Sequence, residues 1–228
     1  MIYAAFVLKI RVLSFNKWHG LDHRNPYVMW PLEKPWEKNK RFKGILSSLK
    51  DYRHELNDEV LDIWCFQELN PIKKEARAIA KQSGYEHKIC AVNRGVEVGL
   101  LHAPWTLSEG LGIFYPKSAD VLNYRWELLS GKAWDFSLKY KKWSFPLFFQ
   151  KDEIRCAQFL TLNWNSQKVL VVNLHLHAKP DSEGGQSRRL DEVAYLLELI
   201  EDEEFDVAVL AGDFNSTPNS AVLDLFRN

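Results

Sequence analysis

What this chain lacks narrows its options first. Thirty basic residues are cancelled by thirty acidic ones, for a formal net charge of zero. No bulk field therefore draws it to a polyanion, because sequence-independent nucleic-acid binding rests on neutralised phosphates; a local basic groove stays open as an option. Cysteine is scarce. Cys65, Cys90 and Cys156 are odd in number and widely spaced, with no paired-cysteine metal motif. They read as reduced, mostly structural thiols in a cytoplasmic setting. No run approaches the roughly 20 consecutive apolar residues of a membrane-spanning helix. Ile2 to Leu8 is apolar but short, runs into Lys9 and Arg11 in alternation, and lacks a basic leader and a small-residue cleavage site. It reads as the first strand, not as an export signal. Internal repeats and low-complexity tracts are also missing. What remains, 228 residues with 46% hydrophobic and 26% charged content, fits one soluble globular domain.

What is present is a set of strands that end in polar side chains. The apolar run Phe205 to Leu210 leads into Ala211-Gly212-Asp213-Phe214-Asn215-Ser216-Thr217-Pro218. In a strand, positions i and i+2 share a face, so Asp213 and Asn215 are expected to point together past the strand tip. Gly212 allows close approach of a backbone or ligand, and Pro218 with its Ser and Thr neighbours marks a terminating turn. Upstream, Val169 to Val172 leads into Asn173-Leu174-His175-Leu176-His177. There Asn173, His175 and His177 share one face and the two leucines the other; a half-exposed edge strand is the plainer alternative. Leu61 to Phe66 ends on Gln67-Glu68, and Leu8, Ile10, Val12, Ser14 and Asn16 alternate on one face of a further strand. Four strands finishing in polar side chains suggest one shared rim.

Between them the pattern predicts helices over 39–56, 73–83 with Gly84 as C-cap, and 187–200, and strands over 85–92, 110–117, 155–163 and 168–177. The stretch from Tyr124 to Phe149 interleaves aromatic residues with lysines. It could stack bases or touch a lipid interface. Hairpins with aromatics packed inward and lysines outward are the favoured reading.

Taken in chain order, Ser14-Phe15-Asn16, Gln67-Glu68, Gly112-Ile113, Asn173-Leu174-His175-Leu176 and Gly212-Asp213-Phe214-Asn215 resemble the endonuclease/exonuclease/phosphatase superfamily. That group includes DNase I-like nucleases, deadenylases, inositol polyphosphate 5-phosphatases and neutral sphingomyelinases. Asn173 to Ala178 looks most like the neutral sphingomyelinase version of its motif, and Gly212 to Ser220 equally like the deadenylase version. The resemblance implies an α/β (α+β) fold, a four-layer α/β/β/α sandwich of two mixed sheets flanked by helices, formed by a single domain over 1–228. It implies a Mg²⁺- or Mn²⁺-dependent hydrolase of phosphoesters, with Glu68 as principal metal ligand and Asn16 beside it. Asp213 would orient or activate the attacking water, Asn215 would hold that aspartate or the phosphate, and His175 would donate to a phosphate oxygen.

The superfamily pattern closes with a further strand and a Ser-Asp-His element, whereas this chain ends at Asn228. The resemblance thus implies a C-terminally truncated domain lacking that strand and the final Asp-His pair, with little turnover expected of it alone. Two other readings stay in view. One is a catalytically silent member kept as a binding or interaction module. The other makes His175 and His177 ligands of a Zn²⁺ hydrolase, which lacks a third partner at motif spacing. For substrate, zero net charge and the aromatic stretch favour a lipid or small-molecule phosphoester over duplex DNA.

Overall fold

The computed structural model describes residues 8–18, 21–22, 30–31, 35–54, 60–93, 109–131, 133–140, 143–150 and 154–227. In chain order the elements are β1 (Ile10–Asn16), β2 (Leu21–Asp22), β3 (Trp30–Pro31), α1 (Pro35–His54), β4 (Leu61–Leu69), α2 (Ile72–Ser83), β5 (Glu86–Asn93) and β6 (Glu109–Tyr115). They continue with β7 (Asp120–Ser130), β8 (Ala133–Tyr140), β9 (Trp143–Gln150), β10 (Arg155–Trp164), β11 (Gln167–His175), α3 (Gly185–Glu201), β12 (Val207–Asp213) and α4 (Ala221–Asp224).

Apolar periodicity sets the layers. One sheet has the order β1-β4-β6-β5 and the other β12-β11-β10-β7, while β2 pairs with β3 and β8 with β9 in separate two-stranded ribbons. Both large sheets are mixed: β1 runs parallel to β4 and β11 parallel to β12, the remaining pairs being antiparallel. The inward faces meet in a core of Leu61, Ile63, Ile113, Leu160, Leu162, Val169 and Val171. The outward face of the first sheet, with Trp64, Phe66 and Phe114, is covered by α1 and α2 through Leu49, Ala76 and Ile79. The outward face of the second, with Phe159, Leu170, Val172 and Leu174, is covered by α3 and α4 through Val193, Leu196 and Val222. The result is the expected four-layer α/β/β/α sandwich. Gly84, at φ 71°, closes α2 in the left-handed conformation, as its place after the periodic run requires.

Two expectations change. The half-exposed edge strand does not hold for β11, which lies between β10 and β12 and is buried from Val169 onward. Its polar Asn173 is satisfied inside the sandwich instead. Gln67 Nε2 donates to Asn173 Oδ1 at 2.8 Å, and Asn173 Nδ2 donates to Gln158 Oε1 at 3.1 Å. Gln158 Nε2 donates onward to the Tyr124 hydroxyl at 2.9 Å. This chain of amides crosses from one sheet to the other; burial pushes the Tyr124 phenol up to about 12. The second change concerns Asp213 and Asn215. The strand stops at Asp213 and Asn215 takes the left-handed region at φ 46°, so the two are not successive same-face strand residues. A local turn joins them: the Asn215 backbone N–H donates to Asp213 Oδ1 at 2.9 Å.

The segment from Tyr124 onward contributes β7 and then the β8–β9 hairpin. The side chains of 132–153 lie outside the described residues, as do residues 1–7 of the apolar N-terminal stretch. Among the described residues no helix is long and apolar enough to cross a membrane.

Candidate active site

The rim is built by two parallel strand pairs, one in each sheet. In the first, Asn16 of β1 stands opposite Gln67 of β4; in the second, His175 of β11 stands opposite Asp213 of β12. Parallel strands finish at the same end, and β1 packs near β12. Four strand ends therefore reach one place from opposite halves of the chain.

Local backbone features aim the side chains. The β4–β6 ladder skips a residue between Phe66 and Leu69, and Glu68 sits there at φ 57°. A bulge of this kind re-aims the side chain that follows it, and a non-glycine residue at positive φ is held only where its surroundings over-determine it. Gly212 is needed for a different reason. Its φ is 142°, and a Cβ there would lie 2.0 Å from the Leu174 carbonyl oxygen of β11. The close approach anticipated for this glycine is thus to a neighbouring strand.

The side chains converge. Asn16 Nδ2 donates to Glu68 Oε1 at 2.9 Å and to Asp213 Oδ2 at 2.8 Å. His175 Nε2 is 3.9 Å from each of those same two oxygens. The other ring nitrogen, Nδ1, lies 3.1 Å from Arg155 Nη1. A guanidinium can only donate, so Nδ1 is the acceptor in this contact and the ring proton is placed on Nε2, facing the carboxylates. Asn215 does not join the cluster through its own amide; its Nδ2 donates to the Leu176 carbonyl at 2.8 Å, tying the tail of β11 to the turn after β12. Asn16, Glu68, His175 and Asp213 are thus together, with Asn215 one layer behind. His177 is buried, and its N–H donates to Glu192 Oε2 of α3 at 2.9 Å.

A cavity opens beside this cluster, lined by Glu68, His175, Arg155, Cys156, Glu109 and Leu111 among others. Arg155 and Glu109 were not singled out from the sequence. The signal for Arg155 was a guanidinium opening a mostly apolar strand, where a charge is buried only if paired. Behind the rim, Lys17 Nζ and Glu75 Oε1 form a buried ion pair at 2.6 Å. The Glu75 carboxylate also accepts the Asn70 N–H at 2.8 Å, and the Lys17 N–H donates to the Gln67 carbonyl at 3.1 Å. Helix α2 thereby clamps the tails of β1 and β4. Burial pushes the Glu75 carboxyl up despite the opposing pull of Lys17.

Among the described residues no three His, Cys, Asp or Glu side chains form a ready metal cage. Mg²⁺ asks for less: one or two carboxylates, with water completing the shell. Glu68 and Asp213, both hard oxygen donors held against one amide, are the residues that could hold it. The Asn16 oxygen accepts the Trp18 N–H at 2.9 Å, so in this geometry Asn16 spans the carboxylates with its nitrogen.

No family model matches the chain. In sequence it is 26% identical over 210 residues to the CCR4-Not complex 3'-5'-exoribonuclease subunit Ccr4 of Kluyveromyces lactis, covering 84% of this chain and 26% of that protein. The chain spans about a quarter of the length of the curated relatives it matches. In structure it resembles ANGEL2, a 2',3'-cyclic phosphatase, solved with adenosine-2',3'-vanadate, at a TM-score of 0.62 and 20% identity over 94% of this chain and 56% of that one. It also resembles an endonuclease/exonuclease/phosphatase protein from Bacteroides vulgatus, at a TM-score of 0.56 and 19% identity over 84% of this chain and 65% of that one. Two packed mixed sheets with helices outside and a polar rim at one end define the class of fold. More particularly, it is the fold of the endonuclease/exonuclease/phosphatase superfamily, as the motif order led one to expect.

Proposed function

We propose that the chain is the catalytic core of a Mg²⁺- or Mn²⁺-dependent phosphoester hydrolase. The observation that carries this reading is the convergence of Asn16, Glu68, His175 and Asp213 from four different strands, with polar atoms 2.8 to 3.9 Å apart. Glu68 would hold the metal, with Asn16 beside it and Asp213 within reach of the same amide. When bound, the ion would polarise the phosphoryl group and steady the leaving oxygen.

Beside the metal, two of the chain's own side chains would handle protons. Asp213 is held at both oxygens, Oδ1 by the Asn215 N–H and Oδ2 by Asn16, so its remaining lone pairs are fixed in direction and suited to orienting a water and taking its proton. His175, with Nδ1 occupied by Arg155, offers the Nε2 proton to a phosphoryl oxygen as charge builds there. The substrate we favour is a ribonucleotide phosphoester, on the strength of the match to an exoribonuclease subunit; the buried thiols fit a cytoplasmic enzyme.

The test is hydrolysis by the native gene product of oligoadenylate, a 2',3'-cyclic nucleotide, sphingomyelin and duplex DNA, each with Mg²⁺. Asp213→Asn is expected to lower turnover by about 10²- to 10⁴-fold on oligoadenylate or the cyclic nucleotide. Equal rates in both proteins would overturn the assignment of Asp213. A lipid as the best substrate would overturn the ribonucleotide choice, and binding without turnover would point to a silent binding module.

A further inference from the structure

Two of the three cysteines meet across the sandwich. Cys90 belongs to β5 in the first sheet and Cys156 to β10 in the second. Their Sγ atoms are 3.4 Å apart, and both residues are buried. Cys65 sits elsewhere, in the inter-sheet core with Leu61 and Ile113. The pair shares a small apolar cluster with Leu111 and Val92, and Cys156, Leu111 and Val92 all line the cavity that Glu68 and His175 also line. Cys156 therefore faces that cavity while being shielded from bulk solvent. Hydrolysis uses neither thiol.

Buried cysteines often serve only as small apolar side chains. Here two of them, from opposite sheets, already touch, with Cys156 on the wall of a cavity, and a disulfide needs their sulfurs brought to about 2.05 Å. We propose that Cys90 and Cys156 form a reversible inter-sheet disulfide, made by hydrogen peroxide that enters the cavity and undone by a small thiol. The Cys156 sulfur, on losing its proton, attacks one peroxide oxygen. The O–O bond breaks and the departing hydroxide takes up that proton to become water, leaving a sulfenic acid on Cys156. The Cys90 sulfur then attacks the sulfenic sulfur, the S–O bond breaks, and the thiol proton leaves with the oxygen as a second water. Two thiols lose two electrons and one peroxide gains them. The hydrogen bond with Cys90 and then burial hold the Cys156 thiol well above its ordinary range, so the reaction is slow beside that of an exposed thiolate.

Closing the bond moves both walls of the cavity. Arg155, which contacts His175 Nδ1, is the residue before Cys156. On the other wall, the Cys90 carbonyl packs so tightly on Gly110 that a Cβ there would lie 2.0 Å from its oxygen. Oxidation should accordingly lower phosphoester turnover several-fold; that consequence rests on the proposed hydrolysis, whereas the disulfide does not.

The experiment treats the native protein with hydrogen peroxide, then maps its peptides without reduction and records its thermal midpoint. The expected result is a Cys90–Cys156 cross-linked peptide, unmodified Cys65, a midpoint raised by roughly 5–15 °C, and full reversal by dithiothreitol. Cys90→Ser should abolish the cross-link and the shift, and Cys90→Ala provides the same control if a hydroxyl is not tolerated in the apolar cluster. Cys156 oxidised to sulfinic acid without a cross-link, or Cys65 linked as readily as Cys90, would overturn the proposal. A cross-link with unchanged turnover would remove the link to activity and leave the disulfide standing.

Discussion

At the scale of single residues, one amide sets the site's geometry. Asn16 donates to carboxylates that lie 52 and 197 residues away in sequence, which offsets their mutual repulsion and orients both. The same economy recurs at His175, where a guanidinium on one ring nitrogen decides which nitrogen carries the proton. His87 illustrates the opposite case, a titrating group with no part in the site. It stacks on Phe114 with ring centroids 5.7 Å apart, and burial, with Arg77 and Lys88 adding to it against Glu86, lowers its pKa below the usual value of 6.5. Between the folded value and 6.5 the unfolded chain binds more protons than the folded one, so stability rises with pH through that window. The contribution is complete above 6.5 and is lost on acidification. His87→Phe keeps the ring stack and removes the proton site. Urea midpoints at about pH 7.5 and about pH 5.5 should fall more for the wild type than for the variant, and equal falls would contradict the account.

Secondary-structure elements show what the sequence made legible and what it hid. The strand runs, the helix ended by Gly84 and the four polar strand tips could all be read from periodicity, because burial on one face writes a repeat of two or 3.6 residues into the chain. The bulge at Glu68 could not, since it depends on where β6 pairs with β4, a tertiary choice that leaves no local mark. The same-face strand placement of Asn215 beside Asp213 changed for a related reason: the pattern shows an apolar run but not the residue at which the backbone turns. Arg155 was missed because an arginine at a strand's first position looks like a solvated end until its partner, His175, is known. Gly212 gives a prediction at this scale. Its φ of 142° and the 2.0 Å approach of the Leu174 carbonyl leave no room for a methyl group, so Gly212→Ala should cost about 2–4 kcal/mol in urea unfolding. A cost within about 0.5 kcal/mol would mean that β11 and β12 are not packed as described.

For the molecule as a whole, the fold turns chain distance into proximity. Each sheet contributes one parallel pair whose strands end together, and packing the sheets face to face brings the two pairs to one rim. The Gln67–Asn173–Gln158 amide chain gives that packing its register, because any slip would leave buried amides without partners. The central claim is that this rim holds a hard divalent cation through Glu68. Isothermal titration with Mg²⁺, and with Mn²⁺ in parallel, tests it most directly in the wild type and in Glu68→Gln, which keeps the shape and removes the charge. The account predicts one site in the wild type and at least a roughly tenfold weaker affinity in the variant, a loss of about 1.4 kcal/mol or more. Equal affinities in the two proteins, or no heat from either ion with the wild type, would contradict it.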